Sequence, residues 1–452
     1  MKVAKFGGTS LASAEQIKKV CSIVLADDAR KIVVVSAPGK RHKQDTKVTD
    51  LLIALAERYL MNGEAEVELE AVISRYREIA AGLELEADIV QVIEADLRSR
   101  LTGDASSAEK VMDGIKAAGE DNSAKIVARF LQSRGVEAHY VNPKEAGLLV
   151  SDEHGNAQVL PESYANLHDL RERSGILVFP GFFGFSPAGD IVTFSRGGSD
   201  ITGSILAAAV EAELYENFTD VDSVFAANPN MVQNPQEIRE LTYREMRELS
   251  YAGFSVFHDE ALIPAFRAGI PVCIKNTNNP AAPGTMIVFE RKGNGNPVVG
   301  IASDSGFCSI YVSKYLMNRE IGFGRRLLQI LEEEELSYEH TPSGIDDISI
   351  ILRDSRLTPE VETRIVDRIK RELAADNIVI ERNLSMIMIV GEGMRHNVGT
   401  TARAATALAR ASVNIEMINQ GSSEVSMMFG VKAEDTEKAV RAIYEQFFQN
   451  HQ

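Results

Sequence analysis

The sequence predicts an α/β protein: a three-layer αβα domain with a mainly parallel sheet, followed by two βαββαβ units. Three observations carry this reading. Strand and helix signals alternate over roughly the first 290 residues. Residues 31–36 (Lys-Ile-Val-Val-Val-Ser) form a continuous apolar run, which suits a parallel strand covered on both faces. The last third of the chain contains an internal repeat.

Strands read at 3–6, 32–36, 137–141, 176–179, 191–195, 214–219 and 272–276, with helical patterns between them. Residues 50–102 read as long Glu-, Leu- and Ala-rich helices whose acidic residues form a solvated face. The Gly- and Asn-rich stretch 291–297 is the linker candidate. Beyond it, 309–352 aligns without gaps on 386–429. Met317 falls on Met394, Gly322 on Gly399, Arg326 on Arg403, Glu339 on Glu416, Gly344 on Gly421 and Ser349 on Ser426. Each copy then adds a helix, 359–374 and 435–448. The first copy has its closing strand at 377–381, and the second has none after its helix. The otherwise unassigned strand 297–302 is expected to complete the second copy, making the first an insertion within it. The expected domains are therefore 1–292, 303–382 and 383–452.

The 452 residues carry a formal net charge of −17, which repels nucleic-acid phosphates and anionic lipid. Neither nucleic acid nor membrane is an expected partner. Cys21, Cys273 and Cys308 match neither a disulfide framework nor a zinc site, and no residues are assigned as protein ligands of a metal. No apolar run approaches the ~20 residues of a membrane span. A strand begins at once after Met1, leaving no room for a leader, so a cytoplasmic location is expected.

Four segments can carry chemistry. Lys5-Phe6-Gly7-Gly8-Thr9-Ser10 leaves the first strand for a helix. Its glycines allow close backbone approach to a phosphate, and its lysine supplies charge for a transferring phosphoryl group. A plain capped turn reads equally well there. In Arg196-Gly-Gly-Ser199-Asp200, a glycine turn opens a helix, and the arginine offers a planar fork for a carboxylate. Glu120 follows Gly119 at what reads as the start of a helix through residue 130. It is either a favourable N-terminal carboxylate or a holder for an ammonium group. Thr219-Asp220 ends a strand, where an α/β sheet places ligand groups. No P-loop, dinucleotide fingerprint or protein-kinase signature is present.

In this order, and with the terminal repeat, these motifs resemble the amino-acid kinase superfamily, and aspartate kinases in particular, over essentially the whole length. The repeat resembles that family's paired ACT domains, which are ferredoxin-like. With no dehydrogenase module following, the monofunctional form is expected. The resemblance implies ATP-dependent phosphorylation of the L-aspartate β-carboxylate, with Mg²⁺, as the first step toward lysine, threonine and methionine. It implies that Lys5 and Asp200 are catalytic and that Ser36, Thr49, Glu120, Arg196 and Ser199 hold the substrate. Lys5, Phe6, Gly7, Gly8, Thr219, Asp220 and Phe225 would border ATP. An effector amino acid, lysine or threonine or both, would bind near Met317, Ser337, Ser343, Gly344, Ile345, Asp346 and Asp347. A homodimer or higher homo-oligomer would form through the ACT domains. The chain departs from many relatives at Phe225 (Tyr), Asn228 (Asp) and Ser255 (Lys), all on the nucleotide side, and His258 is read as structural. Two other readings stay open: a kinase for another small acceptor, and a catalytically silent amino-acid sensor.

Overall fold

Strand Lys2–Phe6 lies at the middle of an eight-stranded sheet whose spatial order is Glu240–Thr242, Thr285–Val288, Val272–Asn276, Leu214–Thr219, Lys2–Phe6, Arg30–Val35, Ile176–Pro180 and Ala138–Tyr140. The computed structural model describes residues 1–103, 107–195, 197–254, 260–291, 296–421 and 425–449. Every pairing in this sheet is parallel except Val272–Asn276 with Thr285–Val288. Side chains alternate along a strand. Ala4, Phe6, Val33 and Val35 therefore face one apolar layer with Val20, Leu52, Ile73, Ile93 and Ile115. Lys5, one position out of phase, is directed to the other layer, where the Gly198–Ala209 helix lies.

The expected strand at 191–195 is shorter, Ile191–Thr193, and lies outside the main sheet in a hairpin with Phe183–Phe185. The segment 50–102 forms three helices, Val48–Asn62, Glu66–Gly82 and Asp88–Leu101. Glu120 does not open a helix. It sits in the middle of the 26-residue helix Ala108–Ser133, so its reading as an N-terminal carboxylate is overturned. Gly119 is not a break. A Cβ there would lie 2.8 Å from the Ala37 Cβ and 3.1 Å from Leu52 Cδ1, so the glycine lets this helix pass close to its neighbours.

The chain divides into two compact units. The first comprises 1–224, 237–246 and 255–291; the second takes 225–236, 247–254 and 292–452. The first unit thus does not end in a single cut near residue 292.

The second unit has a five-stranded antiparallel sheet in the order Asp347–Arg353, Gly300–Ser313, Asn377–Val390, Ser426–Lys432 and Met417–Asn419. Its two 14-residue strands serve both copies of the repeat. Residues 307–313 pair with 347–353, and 309–313 also pair with 377–381. Residues 300–305 pair with 385–390, beside the second copy. Helices Phe323–Glu333 and Thr400–Arg410 fall 77 residues apart, each preceded by a glycine at positive φ (81° at Gly322, 91° at Gly399). That left-handed turn is the reason glycine recurs in both copies. Cys308, Ile310 and Val312 face Leu327, Ile330, Ile365 and Ile369 in the core of the first copy. Among the described residues, no helix is long and apolar enough to cross a membrane.

Candidate active site and effector-binding regions

Lys5 pairs in register with Asn217 on the adjacent parallel strand, so both side chains rise on the same face. Asp200, in the first turn of the Gly198–Ala209 helix, meets both. Its Oδ1 lies 2.5 Å from Lys5 Nζ and accepts from Asn217 Nδ2 at 2.6 Å. The Tyr215 hydroxyl donates to the Asp200 carbonyl at 3.2 Å. Lys5 is buried, and a buried ammonium is stable only when paired and hydrogen-bonded. The arrangement therefore fixes the amine in position at the carboxyl end of the central strands.

The glycines beside Lys5 serve close approach. A Cβ on Gly8 would lie 3.0 Å from the Ala37 carbonyl, and one on Gly39 would lie 2.6 Å from the Gly8 carbonyl carbon. The loops after the first two strands therefore cross backbone to backbone, joined by Gly39 N–H donating to Gly8 O at 2.8 Å. Gly7 N–H donates to the Phe218 carbonyl at 3.1 Å, so it is already committed inside the protein. Phe6 is fully buried, with its ring stacked on Phe218 at 4.7 Å between centroids. Its side chain belongs to the core, and only its backbone could border a nucleotide. Thr219 is half-buried and donates to Asp220 Oδ1 at 3.2 Å, while Asp220 is exposed. Phe225 is half-buried and belongs to the second unit.

Glu120 is buried, and its Oε2 has no hydrogen-bond partner. Burial pushes its carboxyl up to about 8, against the opposing pull of Ala37, its own N–H, Lys5 and Lys116. A buried, unpartnered carboxylate oxygen is costly by itself and suits an incoming ammonium. Ser199 is buried against Gly181, where a Cβ would come within 2.7 Å of the serine side chain. Ser36 and Thr49 are half-buried, the first at the end of a central strand and the second in the first turn of Val48–Asn62. Arg196, Ser255 and His258 lie outside the described residues. Sequence reasoning missed Asn217, whose signal was a lone amide in a buried strand, and Lys116, which lies 2.8 Å from Asp113.

In the second unit, the expected effector residues divide over three places. Leu316 N–H donates to Asp346 Oδ1 at 2.7 Å, and Asn318 N–H to Ile345 O at 3.1 Å, so the Met317 turn and 345–346 form one cluster. Ser343, Gly344 and Asp347 instead line a cavity of about 500 Å³ with Ser309, Tyr311 and Glu381. Ser337 lines a separate groove beside Leu328 and Tyr338. Strand alternation causes part of this split, because Ser309 and Tyr311 face away from the core that Cys308 and Ile310 enter.

Comparison with known proteins follows this geometry. The model of the amino acid kinase family matches residues 1–276, and that of the ACT domain matches 387–447. The chain is 65% identical over 448 residues to Aspartokinase 3 of Bacillus subtilis (strain 168), covering 99% of both chains. The crystal structure of Clostridium acetobutylicum aspartate kinase superposes with a TM-score of 0.89 at 38% identity, over 99% of this chain and 100% of that one. E. coli aspartokinase III in complex with aspartate and ADP (R-state) gives 0.78 at 25% identity over 99% and 100%. The same enzyme in complex with lysine and aspartate (T-state) gives 0.77 at 25% over 99% of each chain.

Proposed function

Because the chain belongs to the amino acid kinase family and, within it, to the aspartokinases, we propose that Lys5 and Asp200 are its catalytic pair and that Glu120, Arg196, Ser199, Ser36 and Thr49 hold the acceptor. The reaction is transfer of the ATP γ-phosphoryl group to the β-carboxylate of L-aspartate, giving 4-phospho-L-aspartate and ADP, under allosteric control. A carboxylate is ionised at neutral pH and needs no general base. The barrier lies in bringing two anions together in line. Lys5 offsets that repulsion at the transferring group, and Asp200 with Asn217 keeps its amine aimed. Glu120 takes the α-ammonium on its free Oε2, and Arg196 takes the α-carboxylate.

On the nucleotide side, the Gly8 N–H is the stronger phosphate donor of the glycine pair, since Gly7 N–H is spent on Phe218. Thr219 and Asp220 border the nucleotide. Among the described residues no three His, Cys, Asp or Glu side chains gather to hold a metal. Mg²⁺ arrives on the phosphates of ATP as part of the substrate.

We assign 1–292 to catalysis, 303–382 to a first ACT domain, and 383–452, completed by strand 297–302, to a second. The pairing of 300–305 with 385–390 supports that completion. The effector is lysine first, threonine second, bound at the Met317 turn with Ile345 and Asp346; the lysine-bound relative supports the choice. The exposed apolar side chains Tyr315, Leu316, Ile321 and Ile345 beside that turn support a homo-oligomeric contact of the first ACT domain. A cytoplasmic location fits these roles.

The Lys5–Asp200–Asn217 contact is the observation that carries the reading. ADP release with aspartate, with glutamate and with no acceptor, each with and without lysine and threonine, tests it. Turnover with aspartate alone, lowered by lysine, is expected. Equal ADP release without an acceptor would sink the reading.

A further inference from the structure

One face of the Ala108–Ser133 helix presents Lys110, Asp113, Lys116 and Glu120 at three- and four-residue steps. Glu120 belongs to the acceptor site. Asp113, two turns earlier, is 2 % exposed and surrounded by donors. Its Oδ1 accepts from the Thr193 hydroxyl at 2.7 Å and lies 2.8 Å from Lys116 Nζ. Its Oδ2 accepts from Thr193 N–H at 3.0 Å and from Gly155 N–H at 3.0 Å, and faces His154 Nδ1 at 3.0 Å. Lys116 closes the triangle by donating to Thr193 Oγ1 at 3.1 Å. One turn before, Lys110 reaches Asp190 at 3.0 Å, at the start of the same hairpin strand.

Thr193 is the fully buried last residue of Ile191–Thr193, five residues before the Gly198–Ala209 helix. Phe194 N–H is held by the Phe182 carbonyl at 2.8 Å, and Gly198 packs where a Cβ would come 2.6 Å from the Phe182 ring. The hairpin and the start of the Gly198–Ala209 helix therefore form one packed group, with Asp113 as its polar joint. This carboxylate has no role in the mechanism above.

We propose that Asp113 is a positioning residue for the acceptor substrate. By gripping Thr193 through both amide and hydroxyl, it sets the distance between Glu120 and Ser199 in the first turn of the Gly198–Ala209 helix, so that both sides of the amino acid are bound together. The proposal rests on the assignment of Glu120 and Ser199 to the acceptor. An asparagine at 113 keeps one acceptor oxygen but turns an NH₂ group toward donors that need an acceptor.

The test is steady-state kinetics of the full chain. Asp113→Asn raises the KM for aspartate about tenfold or more, with kcat within about threefold and the KM for ATP unchanged. A merely structural role would move kcat and both KM values together, and that result, or no change at all, overturns the proposal. If Asp113→Asn does not yield folded protein, Thr193→Val and Thr193→Ser decide. The valine raises the aspartate KM about threefold or more, and the serine, which keeps both contacts, restores it. Equal behaviour of the two overturns the proposal. Glu120→Gln is assayed alongside. An unchanged aspartate KM there overturns the reading of Glu120, whereas a raised KM there with none in Asp113→Asn overturns the clamp alone.

Discussion

Among the described residues, the first unit carries several ion pairs in its interior, while most of those of the second are open to solvent, Arg368–Glu334 being the exception. Lys5–Asp200, Arg30–Glu216, Arg75–Asp45 and Lys116–Asp113 each have both side chains under a fifth exposed. In the second unit, Arg353–Asp304, Arg382–Asp354, Arg371–Glu372 and Arg441–Glu437 lie between a quarter and seven-tenths exposed. Buried charges are expensive to desolvate and tolerate no loss of a partner. Such pairs make sense where a charge must be held still, as for an amine facing a transferring phosphoryl group. Both units expose some apolar side chains, Met61 and Val67 among them in the first, but the two most exposed, Ile321 and Val398, stand at equivalent positions before the two repeat helices of the second, surfaces that suit ligands and partners. Substitutions in the first unit should therefore strike turnover and substrate binding, and those in the second should change control.

The largest effect is expected at Lys5. Lys5→Ala lowers kcat by about a thousandfold, the loss of roughly 4 kcal/mol of transition-state stabilisation. Asp200 keeps its bond from Asn217 and is 17% exposed, so the variant loses stability and melts lower but still folds, with circular dichroism at 25 °C unchanged. Near-normal turnover would refute the assignment and erase the contrast between the units.

Glu120 comes next, and here pH supplies a second readout. Glu120→Gln raises the KM for aspartate by roughly tenfold to a hundredfold, with a smaller change in kcat. The parent carboxyl is pushed up to about 8 by burial, so ammonium binding improves as pH rises from 7 through 8, and the aspartate KM falls. The variant shows no such fall. For stability, the sign is opposite to that of a salt-bridged acid. The folded protein keeps this proton up to about 8, while the unfolded chain releases it near 4.3. The native state thus binds more protons in that window, and this group's contribution to stability falls as pH rises through it. Melting curves of parent and variant should coincide best near pH 5 and separate in the variant's favour toward pH 8. Parallel curves across that range would remove the case for a strained, substrate-ready carboxylate.

The sequence alone already points to the proposed catalytic pair. Lys5 and Asp200 announce themselves because glycine turns punctuate strand-to-helix junctions, and junctions are local in sequence. The helical repeat was equally legible, since Phe323–Glu333 and Thr400–Arg410 keep both period and glycine entry. What could not be read depends on which strands become neighbours. Asn217 matters only because it stands opposite Lys5, 212 residues away in the chain. Asp113 matters only because its helix crosses a hairpin 80 residues on. Gly119 misled for a related reason: a glycine looks like a helix end unless its neighbour across the packing, Ala37, is known. The effector residues were read as one set because they are adjacent in sequence, yet strand alternation and the turn at Met317 send them to different places.

In the second unit, the strongest expected effect is on control. Asp346→Ala removes the acceptor of the Leu316 N–H and loosens the Met317 turn. The lysine concentration for half-inhibition should rise about tenfold, equivalent to a coupling loss near 1.4 kcal/mol, while kcat without lysine stays at the parent value. Inhibition curves with and without the substitution check this. A fall in uninhibited kcat would mean that the turn supports catalysis directly, and would blur the division between the units.

The smallest effect is expected at Arg371, and its smallness is the point. Arg371 Nη2 lies 3.0 Å from Glu372 Oε1, with the arginine side chain 70% exposed. The two residues are consecutive in the Pro359–Leu373 helix, and consecutive helical positions do not face each other, so the pair gains little from geometry. Solvent screening takes most of the rest. Arg371 also stands in the last turn, where a cation meets the negative end of the helix dipole, but Lys370 is beside it to do the same. Arg371→Gln should therefore shift Tm by less than about 1 °C and leave lysine inhibition unchanged. A loss comparable to that from breaking a buried pair such as Arg30–Glu216 would show that exposure is the wrong measure of what these charges do, and the comparison between the two units would have to be redrawn on other terms.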